Sequence, residues 1–265
     1  MKTAITGSVA AMFAAGMLAS QVVSAQPLLE ALVPAYFDPP VNPAGWSSLA
    51  TAAQKIPLSV IMNPASGPGA AQDASYVSAV QNVRLAGGHV LGYVATGYGT
   101  RPMADVINDI NLYIAWYPVD GIFLDEMSND ANTSHYTYYQ SIYDQIKTIN
   151  YNYRVIGNPG TNTQQSYLTL PTADALVVFE GKARAYNSFV PSAWVAGYNR
   201  QYFGNLVYSM TSSSQLSTYL NLAVSRNAGL VYLTNDTGTN PWDTLPGYWD
   251  AEVNCIANIN QGLAC

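Results

Sequence analysis

Only four glutamates occur in the 265-residue chain, and two of them close apolar runs. Gly121-Ile122-Phe123-Leu124 ends in Asp125-Glu126, and Ala175-Leu176-Val177-Val178-Phe179 ends in Glu180. Apolar runs of this length read as strands with both faces covered. Carboxylates at their ends are costly unless paired, hydrated or used. Two opposed carboxyls suit glycoside hydrolysis. One stays protonated to donate to the leaving oxygen; the other stays ionised to attack, or to activate water. Repulsion and burial split the pKa values of such a pair. A separation of about 5–5.5 Å means retention, and roughly 6.5–9.5 Å means inversion. Side chains alternate along a strand, so one of Asp125 and Glu126 points inward and the other turns to a loop; the spacing leaves open which. The structural alternative has these acids capping helices or pairing with Arg154, Lys182 or Arg184.

Other chemistries find little support. The chain has two histidines: His89 precedes a strand and reads as structural, and His135 opens a helix. No Gly-x-Ser-x-Gly elbow, phosphate-binding loop or His-Glu-x-x-His motif occurs, so no cofactor and no metal site is expected.

The elements that must position the acids alternate. Strands are predicted at 31–37, 58–62, 90–95, 121–124, 153–157, 175–180, 205–209 and 229–234. Helical spacing falls at 73–85, 103–116, 134–149, 163–169, 213–223 and 247–259. Eight strand–helix units in about 240 residues predict an α/β fold, a single (β/α)8 TIM barrel. In such a barrel reactive groups project from the C-terminal strand ends. Strands four and six are both even, so Asp125 or Glu126 can face Glu180 across the mouth. The same ends carry Tyr36, Asp38, Asn63, Tyr98, Asn158, Ser209 and Asn235, candidate contacts for sugar. Trp194 and Trp242 are further aromatic candidates for stacking.

Residues 1–25 read as a secretory signal peptide: Lys2, an apolar run to about Val23, then small residues at Val23-Ser24-Ala25. The domain then spans 26–265, and a secreted or cell-surface protein is expected. The net charge of −6 and the lack of a basic stripe argue against nucleic acid. No second apolar span suggests a membrane segment. Cys255 and Cys265 are expected to close a small loop in an oxidising compartment.

Six motifs in order are similar to the spherulin-4 family, glycoside hydrolase family 135. They are Val33-Pro34-Ala35-Tyr36-Phe37 with Pro39; Ile61-Met62-Asn63-Pro64; Gly92-Tyr93-Val94 with Tyr98-Gly99; Gly121 to Glu126; Gly157-Asn158-Pro159-Gly160; and Val178-Phe179-Glu180. The resemblance implies a (β/α)8 barrel, secretion, and endo-cleavage of α-1,4-linked N-acetylgalactosamine stretches in galactosaminogalactan. It places the essential acids at Asp125, Glu126 and Glu180. Similarity to related barrels makes Asp125 the nucleophile and Glu180 the acid/base of a retaining reaction, with Glu126 positioning substrate or tuning its neighbour. The expected partner is a polysaccharide, met by a monomer. The competing readings are a non-catalytic wall or spore-coat polysaccharide binder and an esterase acting on the same polymer.

Overall fold

The computed structural model describes residue 1 and residues 26–265; the expected signal segment lies outside the described residues apart from Met1. Eight parallel strands close on one another in chain order. They are β1 (Glu30–Ala35), β2 (Leu58–Met62), β3 (His89–Ala95), β4 (Gly121–Asp125), β5 (Arg154–Gly157), β6 (Ala175–Lys182), β7 (Phe203–Tyr208) and β8 (Leu230–Leu233). The helices are α1 (Pro43–Ala53), α2 (Ala74–Leu85), α3 (Met103–Trp116), α4 (Thr133–Ile149), α5 (Ser166–Thr169), α6 (Ala183–Ser188), α7 (Leu216–Ser225) and α8 (Trp249–Asn260). The expected (β/α)8 barrel is present. Two helices, α1 and α6, were not anticipated. α1 carries small residues between Trp46 and Leu49, so its periodicity is faint, and α6 is under two turns long. Among the described residues no helix is long and apolar enough to cross a membrane.

Glycine shows which way β3 faces. A Cβ on Gly92 would fall 2.5 Å from the Tyr113 ring of α3, so position 92 faces the helices. Leu91 and Tyr93 therefore point into the barrel. The register carries this orientation to the next strand, pairing Tyr93 with Phe123 and Ala95 with Asp125. Asp125 is thereby on the inward side of β4.

The N-terminal end of the barrel is plugged by a polar layer. Arg154 of β5 donates from Nη1 to Glu30 Oε1 and Oε2 at 2.7 and 2.9 Å, and Ser59 of β2 donates to the same carboxylate. A buried charge needs such a partner. Polar side chains also start several helices: Asn42, Asp73 and Asn132 accept backbone N–H groups of the first turns of α1, α2 and α4. Cys255 of α8 and Cys265 are joined by a disulfide that ties down the C-terminal tail.

Strand β6 breaks the alternation that the other strands keep. Val177 pairs with Gly204, but the next partner of β7, Asn205, pairs with Phe179, leaving Val178 as an extra residue. A bulge of this kind re-aims every side chain beyond it. Phe179 turns outward and packs at 4.7 and 4.8 Å, between centroids, from Tyr186 and Phe189. Glu180, its neighbour, turns inward. Strict alternation from Val177 would have sent Glu180 out among the helices.

Candidate active site

The inward turn of β6 brings Glu180 to Asp125 through a third residue. Asn158 follows β5 and is buried; its N–H donates to Leu124 O at 2.8 Å, fixing it beside the end of β4. Its side-chain Nδ2 donates to Asp125 Oδ1 at 2.7 Å and to Glu180 Oε2 at 2.6 Å. Both bonds end on one nitrogen, so the two carboxylate oxygens are at most about 5.3 Å apart. Gly160, at φ +63°, lets the following turn pass over Glu180: its N–H donates to Val177 O and its carbonyl accepts from Glu180 N.

The environment separates the two acids. Glu180 keeps an edge toward the mouth, but protein surrounds most of the carboxyl. That desolvation lifts its pKa from 4.5 to about 7, against the Asn158 amide; the Asp125 charge raises it further and the Trp242 indole lowers it. A pKa near 7 leaves Glu180 protonated in mildly acidic water, able to donate. No cation pairs with Asp125, Glu126 or Glu180 among the described ion pairs, which removes the structural alternative of pairing with Arg154, Lys182 or Arg184.

Tyrosines line the other side. Burial raises the pKa of Tyr36 well above its ordinary value, and the charges of Asp125 and Glu180 add to the effect. Tyr93 is also raised by burial, then by Asp125, to which its hydroxyl is hydrogen-bonded, and by Glu126. The two rings meet edge to face at 5.5 Å. Tyr93 was missed in the sequence reading. Its signal was there: a lone polar aromatic two residues before the end of an otherwise aliphatic strand, at an inward position.

Glu126 has left the strand. It sits at φ +50°, in the left-handed region that non-glycine residues avoid. Its carbonyl accepts from Tyr98 N at 2.7 Å and from Thr96 Oγ1 at 2.8 Å, while its side chain has no hydrogen bond among those described.

The remaining candidates make no hydrogen bond to the two acids among those described. Asp38 accepts from Tyr76 Oη at 2.9 Å, and Asn63 from Gly67 N at 2.9 Å, so both order loops. Tyr98 is exposed on a short 3-10 turn at residues 97–99, Asn235 is exposed, and Ser209, at φ +59°, bonds through its backbone to Asp236. Trp242 is at the site; Trp194 is not, since it packs on Phe203 and Tyr198 and donates to Thr163 O. Two clefts lie elsewhere. One of about 490 Å³ between α1 and α2 is apolar. One of about 670 Å³ on the N-terminal face is lined by Arg84, Asp120, Lys147, Asp174 and Arg154, whose charges are paired.

An eight-stranded parallel barrel presenting two opposed carboxyls at its C-terminal mouth is a frame that glycosidases use. Solved structures share the fold: the spore cortex-lytic enzyme SleL of Bacillus cereus (TM-score 0.57, 7% identity, 86% of this chain and 74% of that one) and a chitinase of Chromobacterium violaceum (0.54, 10%, 86% and 98%). The chain belongs to the Spherulation-specific family 4, whose model matches residues 30–256. Spherulin-4 of Physarum polycephalum is 36% identical over 249 residues, covering 89% of this chain and 72% of that protein. Sph3 of Aspergillus clavatus, solved in complex with GalNAc, superposes with a TM-score of 0.77 at 25% identity, over 87% of this chain and 98% of that one.

Proposed function

We propose that the protein is a secreted, endo-acting glycoside hydrolase that cleaves a polymer containing α-1,4-linked N-acetylgalactosamine, with retention of configuration. The observation that carries this reading is the shared Asn158 amide, which holds one oxygen of each carboxyl no more than about 5.3 Å apart and so supports a close, retaining pair, about 5–5.5 Å, over a wide, inverting one. The GalNAc held by Sph3 supports the choice of sugar, and the signal-like residues 1–25 support secretion.

In the first step Asp125 attacks the anomeric carbon and forms a glycosyl ester. The glycosidic C–O bond breaks, and Glu180 gives its proton to the leaving oxygen. Asn158 donates to Oε2 of Glu180, so that oxygen is an acceptor and the transferable proton belongs on Oε1. In the second step Glu180, now ionised, takes a proton from water as the water attacks the anomeric carbon, and the bond from that carbon to Asp125 breaks, releasing the carboxylate. Asn158 and Tyr93 donate to Asp125 and hold its carboxyl in place. Tyr36 and Trp242 offer aromatic faces to the sugar, and Glu126 lies next to the nucleophile.

The test is incubation with galactosaminogalactan and other amino-sugar polymers, with mass spectrometry of the soluble products. Wild type should release short GalNAc-containing oligomers, and Asp125→Asn and Glu180→Gln should not. Binding of the polymer without new reducing ends would mark a non-catalytic polysaccharide binder instead, and release of acetate alone would mark an esterase.

A further inference from the structure

One seam of the barrel is incomplete on the side nearest the acids. β1 pairs with β8 only at Glu30–Leu230 and Ala31–Val231, whereas it pairs with β2 along its length from Ala31 to Ala35. In a parallel ladder alternate N–H groups go to opposite neighbours. Thr234 N–H goes to Val207 of β7, so the N–H of Leu233 faces β1. It donates instead to Glu252 Oε1 of α8 at 2.9 Å. The Glu252 carboxyl thus stands where a β1 carbonyl would otherwise be.

Glu252 has no exposed surface, and no cation pairs with it among the described residues. The titratable groups facing it are Tyr232 of β8 and Tyr248 beside its own helix, both held un-ionised by burial first. Burial likewise drives the Glu252 carboxyl well above its ordinary range, only partly opposed by the Leu233 N–H. Its Oε2, both tyrosine hydroxyls and Trp249 Nε1 are buried without a partner among the described residues. Buried polar groups are nearly always satisfied. A carboxylic acid, with one O–H to give, fits among hydroxyls that can accept.

The seam leads to the catalytic acid. The Tyr232 ring lies 6.0 Å from Trp242, whose carbonyl accepts from Tyr36 N at 3.0 Å beyond the end of β1. The indole of Trp242 acts on the Glu180 carboxyl and lowers its pKa. We propose that Glu252 is a positioning residue for Glu180. Set into the seam as the acceptor of the Leu233 N–H, its carboxyl holds β8 apart from β1, so that the loop carrying Trp242 settles against the end of β1 and brings its indole to Glu180. This rests on the reading of Glu180 as the acid/base, but its test needs no turnover.

Because the chain has four glutamates, carboxyl-13C glutamate labelling gives four resonances whose titration can be followed by NMR. Glu180 should titrate near pH 7, and Glu252 should stay neutral well above the pH at which an ordinary glutamate ionises. Glu252→Leu removes the acceptor of Leu233. It should raise the Glu180 midpoint by about half a pH unit or more, and move the alkaline limb of kcat/KM with it. Glu252→Gln keeps a neutral acceptor and should leave both in place. If Glu252→Leu does not fold, Tyr232→Leu, which removes the ring beneath Trp242, should raise the Glu180 midpoint while Glu252 stays neutral. The proposal is overturned by a folded Glu252→Leu with the wild-type midpoint, by Glu252→Gln shifting it as far as Glu252→Leu does, or by Glu252 ionising in the wild type like an ordinary glutamate. The predicted titrations in a protein that cleaves no glycan would support the positioning role and overturn only the hydrolase reading.

Discussion

Asn158 donates to Glu180 Oε2 at 2.6 Å with the same nitrogen that donates to Asp125. One amide therefore fixes the spacing of the two acids and the oxygen of Glu180 that carries the proton. Asn158→Ala should lower kcat/KM by about 10²–10³, the cost of losing one preorganised donor in an active site. Asn158→Asp should be at least as damaging, because a third carboxyl raises the Glu180 pKa further. Steady-state kinetics with circular dichroism as a folding control checks both.

The inward aim of Glu180 depends on the extra residue in β6. Exchanging the side chains of residues 179 and 180 (Phe179→Glu with Glu180→Phe) should send the carboxyl outward among the helices and drive the ring into the barrel. Activity should vanish. Stability should fall by about 3 kcal/mol or more as the packing of Phe179 on Tyr186 and Phe189 is lost. Denaturant unfolding and activity assays read the two effects. An active exchange variant would show that position 179, not 180, faces inward and that the bulge does not aim the acid.

The raised pKa of Glu180 has two consequences of known sign. As a general acid it must be protonated, so kcat/KM should fall above about pH 7. For stability, the folded pKa lies above the unfolded value near 4.5, so the native state holds the extra proton between the two. Stability then declines as pH rises from about 4.5 to 7, by up to about 3 kcal/mol for this group alone. Glu180→Gln should abolish activity, remove this decline and exceed the wild type in stability at pH 8, as measured by urea unfolding.

Glu126 occupies a left-handed backbone position that costs an ordinary residue about 1–2 kcal/mol. Glycine has no such penalty but loses about 0.5–1 kcal/mol of chain entropy. Glu126→Gly should therefore leave Tm unchanged or slightly higher while lowering kcat/KM at least about tenfold. A variant that loses stability and activity together would indicate a structural residue rather than one held in strain for function.

Much of the barrel was legible because its strands are aliphatic runs ending in Asn-Pro, Asp-Glu or Glu. α3, expected at 103–116, has those bounds because Pro102 and the break at Tyr117 are local signals. The acids were legible as types at strand ends. Which of Asp125 and Glu126 turns inward was not, since that follows from the register of Ala95 against Asp125 and, before it, from Gly92 against Tyr113. The bulge at Val178 was not legible either: Val177-Val178-Phe179 reads as uninterrupted strand, and the extra residue is defined only against β7. Asn158 was read as a sugar contact from its place at a strand end. Its bridging bonds depend on three strands meeting, which no local pattern records. Glu252 went unremarked because a lone acid on an amphipathic helix usually faces water.

The stereochemical course of hydrolysis tests the central claim most directly. Proton NMR of the first product released from an α-1,4-linked GalNAc oligomer should show the α-anomer first, with the β-anomer growing in only as mutarotation proceeds. A β-anomer formed first would mean inversion, for which two acids bridged by a single amide stand too close, and would contradict the account.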